Sequence, residues 1–424
     1  MICSKAENGL GYAVLREGKR VACCSLSIRC GTREENVCGW EKTSGTFHSG
    51  TAHFVEHTLF KGTEDKSSSV INCYLERLGG ELNAYTTKEE IVLHATVLKE
   101  DVEKAAGLLF ELASRATFPE DEIEVEKTVV IDEIASYRDS PADDIYDRFE
   151  SLLFEGHPLS GRVLGTPASV KRITGDELRR FVGEFFVPER MAFTVVAPLP
   201  EEEMAAMACR LSSEYFGNGG QAKPGNGAGD SAVSRVEFAG NVFDRTVNRH
   251  SHQANCIIGA AAPSLYREKD RIATVLMSNI LGGTASNSIL NSVLREEKGW
   301  VYNVECNYGQ YADSGILSVG FGCDREHLED CIAVVQEEMA RLRTVPFSED
   351  ELNAAKKQLA GQIAVSSENS ESQALSMAKS LNAFGMVRDD DEVRRKIEAV
   401  TPEDILRAAS EIFRPGSLSR LIYL

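Results

Sequence analysis

One internal repeat limits, more than any other feature, how this chain can fold. Residues 346–352 repeat the pattern of residues 118–123. In both, a phenylalanine is followed two positions later by Glu-Asp-Glu and an aliphatic residue. The two copies lie 229 residues apart in a chain of 424 residues. A repeat at that distance predicts two halves of similar fold, each the size of an ordinary domain.

A glycine-rich stretch separates the two predicted halves. Residues 217–233 have the composition of a flexible linker. We therefore predict an N-terminal half at residues 1–216 and a C-terminal half at residues 234–424. Both halves mix alternating, strand-like segments with segments of helical periodicity. The predicted fold class is α+β, with a mostly antiparallel sheet packed against helices in each half.

Local patterns predict strand pairs in both halves and a long helix in the first. Residues 12–29 read as two strands of one hairpin, because apolar and small polar residues alternate along the second strand. Residues 302–311 and 315–321 predict a second hairpin. Residues 121–137 predict a helix, which includes the end of the repeated pattern.

The segment His-Phe-Val-Glu-His at residues 53–57 has the spacing of a metal site. In a helix, which we expect Ser49 or Thr51 to cap, His53 and His57 lie one turn apart on one face. Two such imidazoles can hold one metal ion, and Glu56 on the same side can take a proton from water. The order His-x-x-Glu-His is the inverzincin signature. Two surface histidines on an amphipathic helix are the alternative interpretation.

Two further carboxylates supply candidate partners for that metal. Glu126 and Glu133 are seven residues apart, which is two turns on one face of the predicted helix. Carboxylates on a half-buried face need a partner, and a metal ion would supply one. In the second copy of the repeat, Ala355 and Gln362 stand at the corresponding positions. We therefore expect the metal in the first half only. The apolar residues that make this face half-buried are Val129, Val130 and Ile134.

Composition and charge exclude several classes of function. The formal net charge of −19 makes nucleic acid an unsuitable partner, because phosphate binding needs a basic surface. The longest apolar runs are too short to cross a bilayer, and the N-terminus lacks the pattern of a secretory signal. Eleven scattered cysteines without a Cys-x-x-Cys pair indicate reduced thiols. We therefore predict a cytoplasmic protein with no membrane partner.

Taken together, these motifs resemble the pitrilysin/insulinase family of zinc peptidases. The closest resemblance is to half-size bacterial members related to the mitochondrial processing peptidase. The resemblance implies the LuxS/mitochondrial-processing-peptidase-like metallohydrolase fold. It is carried by the histidine motif and by segments across nearly the whole chain, at residues 31–35, 79–86, 126–133, 157–158, 165–166, 281–283, 294–299 and 400–404.

The resemblance implies a complete zinc site in the first half, with one Zn²⁺ per chain. His53, His57 and Glu133 match the family's metal ligands, the glutamate following the second histidine by 76 positions. Glu56 matches the general base that activates water. Glu126 matches the acidic residue that supports the ligands.

Four further residues match positions that contact substrate in the family. Asn83 and Ala84 match the edge strand on which a substrate backbone pairs. Arg295 and Tyr302 in the second half match an Arg/Tyr pair that reaches the active site and holds the substrate carbonyl oxygen. The loop at residues 36–50 is longer than its usual counterpart. Its His48 is a further candidate metal ligand, which would close the water position.

The activity implied is zinc-dependent endopeptidase activity on peptides or unfolded segments, inside a clam-like dimeric chamber. One chain supplies one pair of halves, so we expect a homodimer, or a heterodimer with a related subunit. Two alternatives stay open. The chain is a catalytically silent scaffold or binding subunit of a peptidase complex, or it hydrolyses a non-peptide amide or ester at the same metal.

Overall fold

Two β-sheets with helices packed against them make up the computed structural model, which describes residues 1–35, 47–218, 238–249 and 251–424. The chain divides into two compact units, each assembled from three segments. Residues 219–233 of the predicted linker lie outside the described residues, so the predicted domain boundaries at 216 and 234 stay predictions. The segments are Met1–Ile134, Gly161–Ser231 and Val365–Arg388 in unit 1, and Ala135–Ser160, Ala232–Ala364 and Asp389–Leu424 in unit 2.

Unit 1 contains a six-stranded sheet in the order β1-β2-β6-β3-β5-β4. Its pairs are antiparallel except for β2 and β6, which run parallel. The most important consequence for function is that β4 lies at one edge, with β5 as its neighbour. The strands are β1 (Ile2–Lys5), β2 (Gly11–Arg16), β3 (Val21–Ile28), β4 (Glu81–Thr86), β5 (Ile91–Leu98) and β6 (Met191–Ala197).

Unit 2 contains a five-stranded sheet in the order β7-β11-β8-β10-β9. The strand that comes last in the sequence, β11, runs parallel to β7 and antiparallel to β8. In unit 1 the last strand, β6, likewise has one parallel and one antiparallel neighbour. The other pairs are antiparallel, which confirms the predicted α+β class and the second hairpin. The strands are β7 (Asp244–Val247), β8 (Ala254–Ala262), β9 (Val301–Gln310), β10 (Gly315–Cys323) and β11 (Ser419–Tyr423).

Helices cover the sheets of both units. In unit 1 they are α1 (Thr51–Leu59), α2 (Ser68–Tyr74), α3 (Val102–Arg115), α4 (Glu120–Arg138), α6 (Pro167–Val170), α7 (Gly175–Phe185), α8 (Glu201–Phe216) and α12 (Ser370–Phe384). In unit 2 they are α5 (Pro141–Leu153), α9 (Glu268–Gly282), α10 (Leu328–Leu342), α11 (Glu349–Ser367), α13 (Asp390–Glu398) and α14 (Pro402–Ile412). Helices α4 and α11 cross from one unit's segment into the other's.

The helix bounds reproduce the sequence repeat. Helices α4 and α11 are both 19 residues long, and α11 starts at residue 349, which is 229 positions after the start of α4 at residue 120. Helix α12 starts at residue 370, again 229 positions after the start of α5 at residue 141. The predicted repeat is therefore present in the structure as two equivalent helix pairs.

The predicted hairpin at residues 12–29 is wrong in its pairing. Both strands exist, as β2 and β3, but β6 lies between them and pairs with each. Every residue of β6 is buried, as expected for a strand covered on both faces. An alternating pattern shows that a segment is a strand and cannot identify its neighbour, which here comes from more than 160 residues further along the chain.

Each unit contains one helix that comes from the half of the chain that forms most of the other unit. In unit 1, α12 covers the outer face of β2, β6 and β3 with Ala374, Met377 and Leu381, which form an apolar cluster with strand residues. The Thr194 hydroxyl donates a hydrogen bond of 2.8 Å to the Ala374 carbonyl. In unit 2, α5 packs its apolar face on the sheet in the same manner.

Helix α5 is fixed in unit 2 by a buried acidic residue. The Asp144 carboxylate accepts a hydrogen bond of 2.7 Å from the Tyr423 hydroxyl and pairs with the Arg249 guanidinium at 2.5 Å. Nearby, the Tyr146 hydroxyl donates to Glu305 Oε1 at 2.6 Å. Gly320 allows this approach, because a Cβ there would come within 1.9 Å of the Tyr146 hydroxyl.

We predict that Asp144→Ala lowers the free energy of unfolding by about 2–3 kcal/mol, because it leaves a guanidinium and a hydroxyl without their shared acceptor. Urea denaturation followed by circular dichroism measures the change. Arg148→Ala, at an exposed position of the same helix, serves as the control and should change the stability by less than about 0.5 kcal/mol. Equal effects of the two substitutions would contradict the structural role of Asp144.

Candidate active site

Helix α1 brings the two motif histidines together. Their ring centroids are 4.5 Å apart, as one helical turn requires. His53 is buried and His57 is half-buried. The helix begins after Gly50, whose φ of +91° suits glycine. The prediction that Ser49 or Thr51 caps it is wrong, because the Thr51 hydroxyl instead donates back to the His48 carbonyl at 2.6 Å.

The predicted third ligand meets the two imidazoles. Glu133 Oε2 lies 3.4 Å from His57 Nε2 and 3.8 Å from His53 Nε2. The candidate ligand atoms of the three residues all lie within 4.8 Å of one another, the one such group of metal-binding side chains among the described residues. Two imidazole nitrogens and one carboxylate oxygen are the donor set of a three-ligand catalytic zinc site. The residues present therefore fit Zn²⁺.

Glu126 orients one of the histidines. Its Oε1 lies 2.8 Å from His57 Nδ1, which places the ring proton on Nδ1 and leaves Nε2 directed at the candidate metal position. Its Oε2 pairs with Lys61 Nζ at 2.5 Å. Although burial favours the protonated form, these two partners hold the pKa of Glu126 below its ordinary value. The carboxylate therefore stays ionised and continues to support the imidazole.

The electrostatics of the two imidazoles differ. Burial and the neighbouring His57 lower the pKa of His53 to about 4, so this ring is neutral. Burial opposes a charge on His57 as well, but hydrogen bonds with Glu126 and Glu133 outweigh it and raise its pKa to about 9. The carboxylates thus favour positive charge at this point. A divalent cation would supply it and displace the proton.

Glu56 lies on the same helix as the histidines and interacts electrostatically with His57 and Glu133. The Thr86 hydroxyl donates a hydrogen bond of 2.6 Å to Glu56 Oε2. Burial raises the pKa of Glu56, and the hydrogen bond from Thr86 reduces this effect. A raised pKa makes the carboxylate a stronger proton acceptor near neutral pH, which suits general base catalysis.

Asn83 and Ala84 lie on the edge strand β4, as the sequence predicted for a strand that receives a peptide. Asn83 is exposed and pairs in register with His94 of β5, while Ala84 packs against the core. The same strand ends at Thr86, the hydrogen-bond partner of Glu56. The open edge of β4 therefore ends directly beside Glu56, the candidate base.

Arg295 and Tyr302 belong to unit 2. Arg295 lies in a seven-residue π-helical segment, Asn291–Glu297, and 53% of its side chain is exposed. Tyr302 lies near the start of β9, is 59% exposed, and donates a hydrogen bond of 3.1 Å to Asp324. Both side chains are accessible on the surface of their unit. Their contact with substrate stays a prediction.

Sequence reasoning missed the partners that hold the site in place. Lys61 follows His57 by four positions, so helical spacing could have placed it beside Glu126. Nothing local indicates that Thr86 would meet Glu56, because the contact joins a helix to a strand 30 residues away. His48, considered as a ligand, pairs with Glu177 at 2.8 Å instead and is absent from the metal-binding group. Of the loop at 36–50, residues 36–46 lie outside the described residues.

Two family models match this chain. Residues 13–167, which hold the whole candidate metal site, match the model described as insulinase, peptidase family M16. Residues 172–359 match the model described as the peptidase M16 inactive domain. The second match covers Ala355, which stands where the first half has Glu126, and ends three residues before Gln362, the counterpart of Glu133.

Curated relatives agree with these matches. An uncharacterized zinc protease of Bacillus subtilis is 29% identical and covers 86% of each chain. Uncharacterized zinc proteases of Mycobacterium leprae and Mycobacterium tuberculosis are 30% and 31% identical, covering 93% and 88% of this chain and 84% and 83% of theirs.

Solved structures share the fold. A protease from Helicobacter pylori superposes with a TM-score of 0.85 at 19% identity, covering 100% of this chain and 98% of that one. A peptidase M16 inactive domain from Pseudomonas fluorescens gives 0.84 at 18% identity, covering 100% and 97%. Among the described residues, no helix is long and apolar enough to cross a membrane. The family matches and the relatives together show that the chain belongs to the insulinase family, peptidase family M16.

Proposed function

We propose that the protein is a zinc-dependent endopeptidase that hydrolyses peptides or unfolded segments. The observation that carries the proposal is the meeting of His53, His57 and Glu133 at one point, with Glu56 beside them. His53 is buried, His57 and Glu56 are half-buried, and Glu133 is exposed. Placing the buried and half-buried polar groups of this site together costs free energy unless a cation binds there. Names of relatives that include zinc protease support the same activity.

Each residue has a definite part in the reaction. When bound, zinc would polarise the scissile carbonyl and lower the pKa of a nearby water. Glu56 accepts the proton of that water and passes it to the leaving amine. Thr86 holds one oxygen of the Glu56 carboxylate, so the other keeps a fixed direction. Glu126 holds His57 with its Nε2 lone pair directed at the metal position.

Substrate binds as an added strand on β4. An edge strand presents unpaired backbone groups, and an extended peptide pairs with them without regard to most of its side chains. Asn83 and Ala84 form part of that edge, and the strand ends at Thr86. A peptide paired there brings its backbone, which contains the scissile bond, close to Glu56. Such binding favours extended or unfolded segments over folded proteins.

The second half supplies the groups that hold the substrate carbonyl. We propose that Arg295 and Tyr302 do so across the interface of a homodimer, one chain completing the site of its partner. Both side chains are exposed in their own unit, as this role requires. A heterodimer with a related subunit is the variant of the same arrangement.

No observation favours a silent scaffold subunit or hydrolysis of a non-peptide amide. A silent subunit needs none of the hydrogen bonds that hold Glu56 and His57 in place, yet both are made. A screen of mixed peptides against small amides separates peptidase from amidase activity. The cytoplasmic location inferred from the cysteines stays a prediction.

We predict that Glu56→Gln lowers kcat for peptide cleavage by about 10²–10⁴-fold, because the amide cannot accept the proton, while zinc stays bound. Cleavage of a quenched fluorescent peptide library and metal analysis of the same sample measure both quantities. The control is Glu124→Gln, an exposed carboxylate on α4, which should leave both unchanged. Undiminished cleavage by the Glu56 variant would refute its role as the base.

We predict that Glu126→Gln weakens zinc binding by about 10–100-fold, because the ring of His57 loses the carboxylate that fixes its orientation. Competition with a chromophoric chelator measures the dissociation constant. Glu124→Gln on the same helix is again the matched control. If the two variants bind zinc equally well, the hydrogen bond between Glu126 and His57 does not support the ligand.

We predict that mixing two inactive variants restores activity if the site is completed across a dimer. Chains carrying Glu56→Gln and chains carrying Arg295→Ala form hybrid dimers with one intact site, so an equal mixture recovers about a quarter of wild-type activity. Mixing Glu56→Gln with His53→Ala is the control, because both lesions fall in the zinc-binding half and no intact site forms. A mixture no more active than its separate components would show that each site is built within one chain.

A further inference from the structure

Helix α1 begins without a capping side chain of its own. Its N-cap residue is Gly50, and the first turn of any helix has backbone N–H groups that lack partners within the helix. Thr51 and Ala52, the first two helical residues, are fully buried. Water therefore cannot satisfy these groups, and another part of the chain must do so.

The carboxylate of Glu35 accepts from two of the backbone N–H groups at this end of the helix, while the Thr51 N–H donates to the His48 carbonyl at 3.1 Å. The Gly50 N–H donates to Glu35 Oε2 at 2.9 Å, and the Ala52 N–H donates to Glu35 Oε1 at 2.8 Å. The residue is fully buried, so both oxygens are committed to this turn. Burial raises the pKa of Glu35 well above its ordinary value, and the hydrogen bonds from Ala52 and Gly50 oppose this effect. The Glu35 backbone is fixed in turn, because its N–H donates to the Thr32 carbonyl at 3.2 Å.

The two histidines are held in different ways. The ring of His57 is oriented by Glu126 through Nδ1. The Nδ1 atom of His53 is buried and has no hydrogen-bond partner among the described residues. Ligand histidines usually have such a partner, which sets the ring orientation. The position of His53 must therefore be set by the backbone of the first turn, and Ala52, which Glu35 binds, directly precedes it.

We propose that Glu35 is a positioning residue for the zinc site: by clamping the first turn of α1, it fixes where His53 presents its Nε2 to the metal. By holding the backbone of this turn, Glu35 takes the place of the hydrogen bond that the ring of His53 lacks. This inference rests on the proposed function, since it concerns the same zinc site. It adds a residue that contacts neither metal nor substrate.

Zinc binding tests the proposal directly. The variants are Glu35→Gln, which turns one acceptor into a donor facing an N–H group, and Glu35→Asp, which keeps the carboxyl group but is too short to reach both N–H groups. The control is Glu34→Gln, the adjacent carboxylate, which accepts a hydrogen bond of 2.8 Å from the Gly31 N–H. Chelator competition measures zinc affinity, and the visible spectrum of the Co²⁺-loaded chain reports ligand geometry.

We expect Glu35→Gln and Glu35→Asp to bind zinc at least about tenfold more weakly than wild type and to change the cobalt spectrum. Glu34→Gln should match wild type in both measurements. If Glu35→Gln does not fold, Glu35→Asp decides. A folded Glu35→Asp chain with unchanged zinc affinity and cobalt spectrum would overturn the positioning role. A wild-type chain that binds no zinc would overturn the zinc site itself, so the two failures are distinguishable.

Discussion

The structure depends on one electrostatic constraint, which is that three carboxylates and two imidazoles meet at one position of unit 1, where His53 and Glu126 are buried. Glu133 approaches both rings, Glu126 holds His57, and Glu56 lies on the same helix as the histidines. Such a group of acidic side chains is costly to bury unless positive charge balances it. Lys61 supplies part of that charge, and a divalent cation would supply the rest. The contacts of His57 with Glu126 and Glu133 on α4, and of Glu56 with Thr86 on β4, hold this arrangement.

The parts of the site that lie on one helix could be predicted from the sequence. Helical spacing alone places His53 and His57 on one face, and the same rule relates Glu126 to Glu133. That the two helices meet could not be derived from spacing. It came from the resemblance to a known family, and the geometry agrees. The repeat likewise predicted a second helix matching α4, and α11 has the same length and the expected offset.

What escaped prediction joins elements distant in sequence. Strand β6 enters the sheet between β2 and β3, where all its residues are buried, and no local pattern of β2 or β3 reveals this neighbour. Glu35 is one of two adjacent glutamates, and only the folded chain shows which of them reaches α1. Thr86 meets Glu56 through the same kind of tertiary contact. Hydrophobic and helical periodicities describe single elements, whereas these contacts depend on packing.

The incorporation of α12 into unit 1 and α5 into unit 2 also bears on how such a chain could have arisen. If a gene encoding one half had existed alone, its product would have carried the equivalent helix with no partner sheet except that of a second copy. Two identical half-length chains, each packing that helix on the sheet of the other, would have formed a domain-swapped dimer. Fusion of the two genes would have placed both exchanged helices in one chain. One copy could then have lost its metal ligands, while its helix continued to cover the sheet of the copy that kept them.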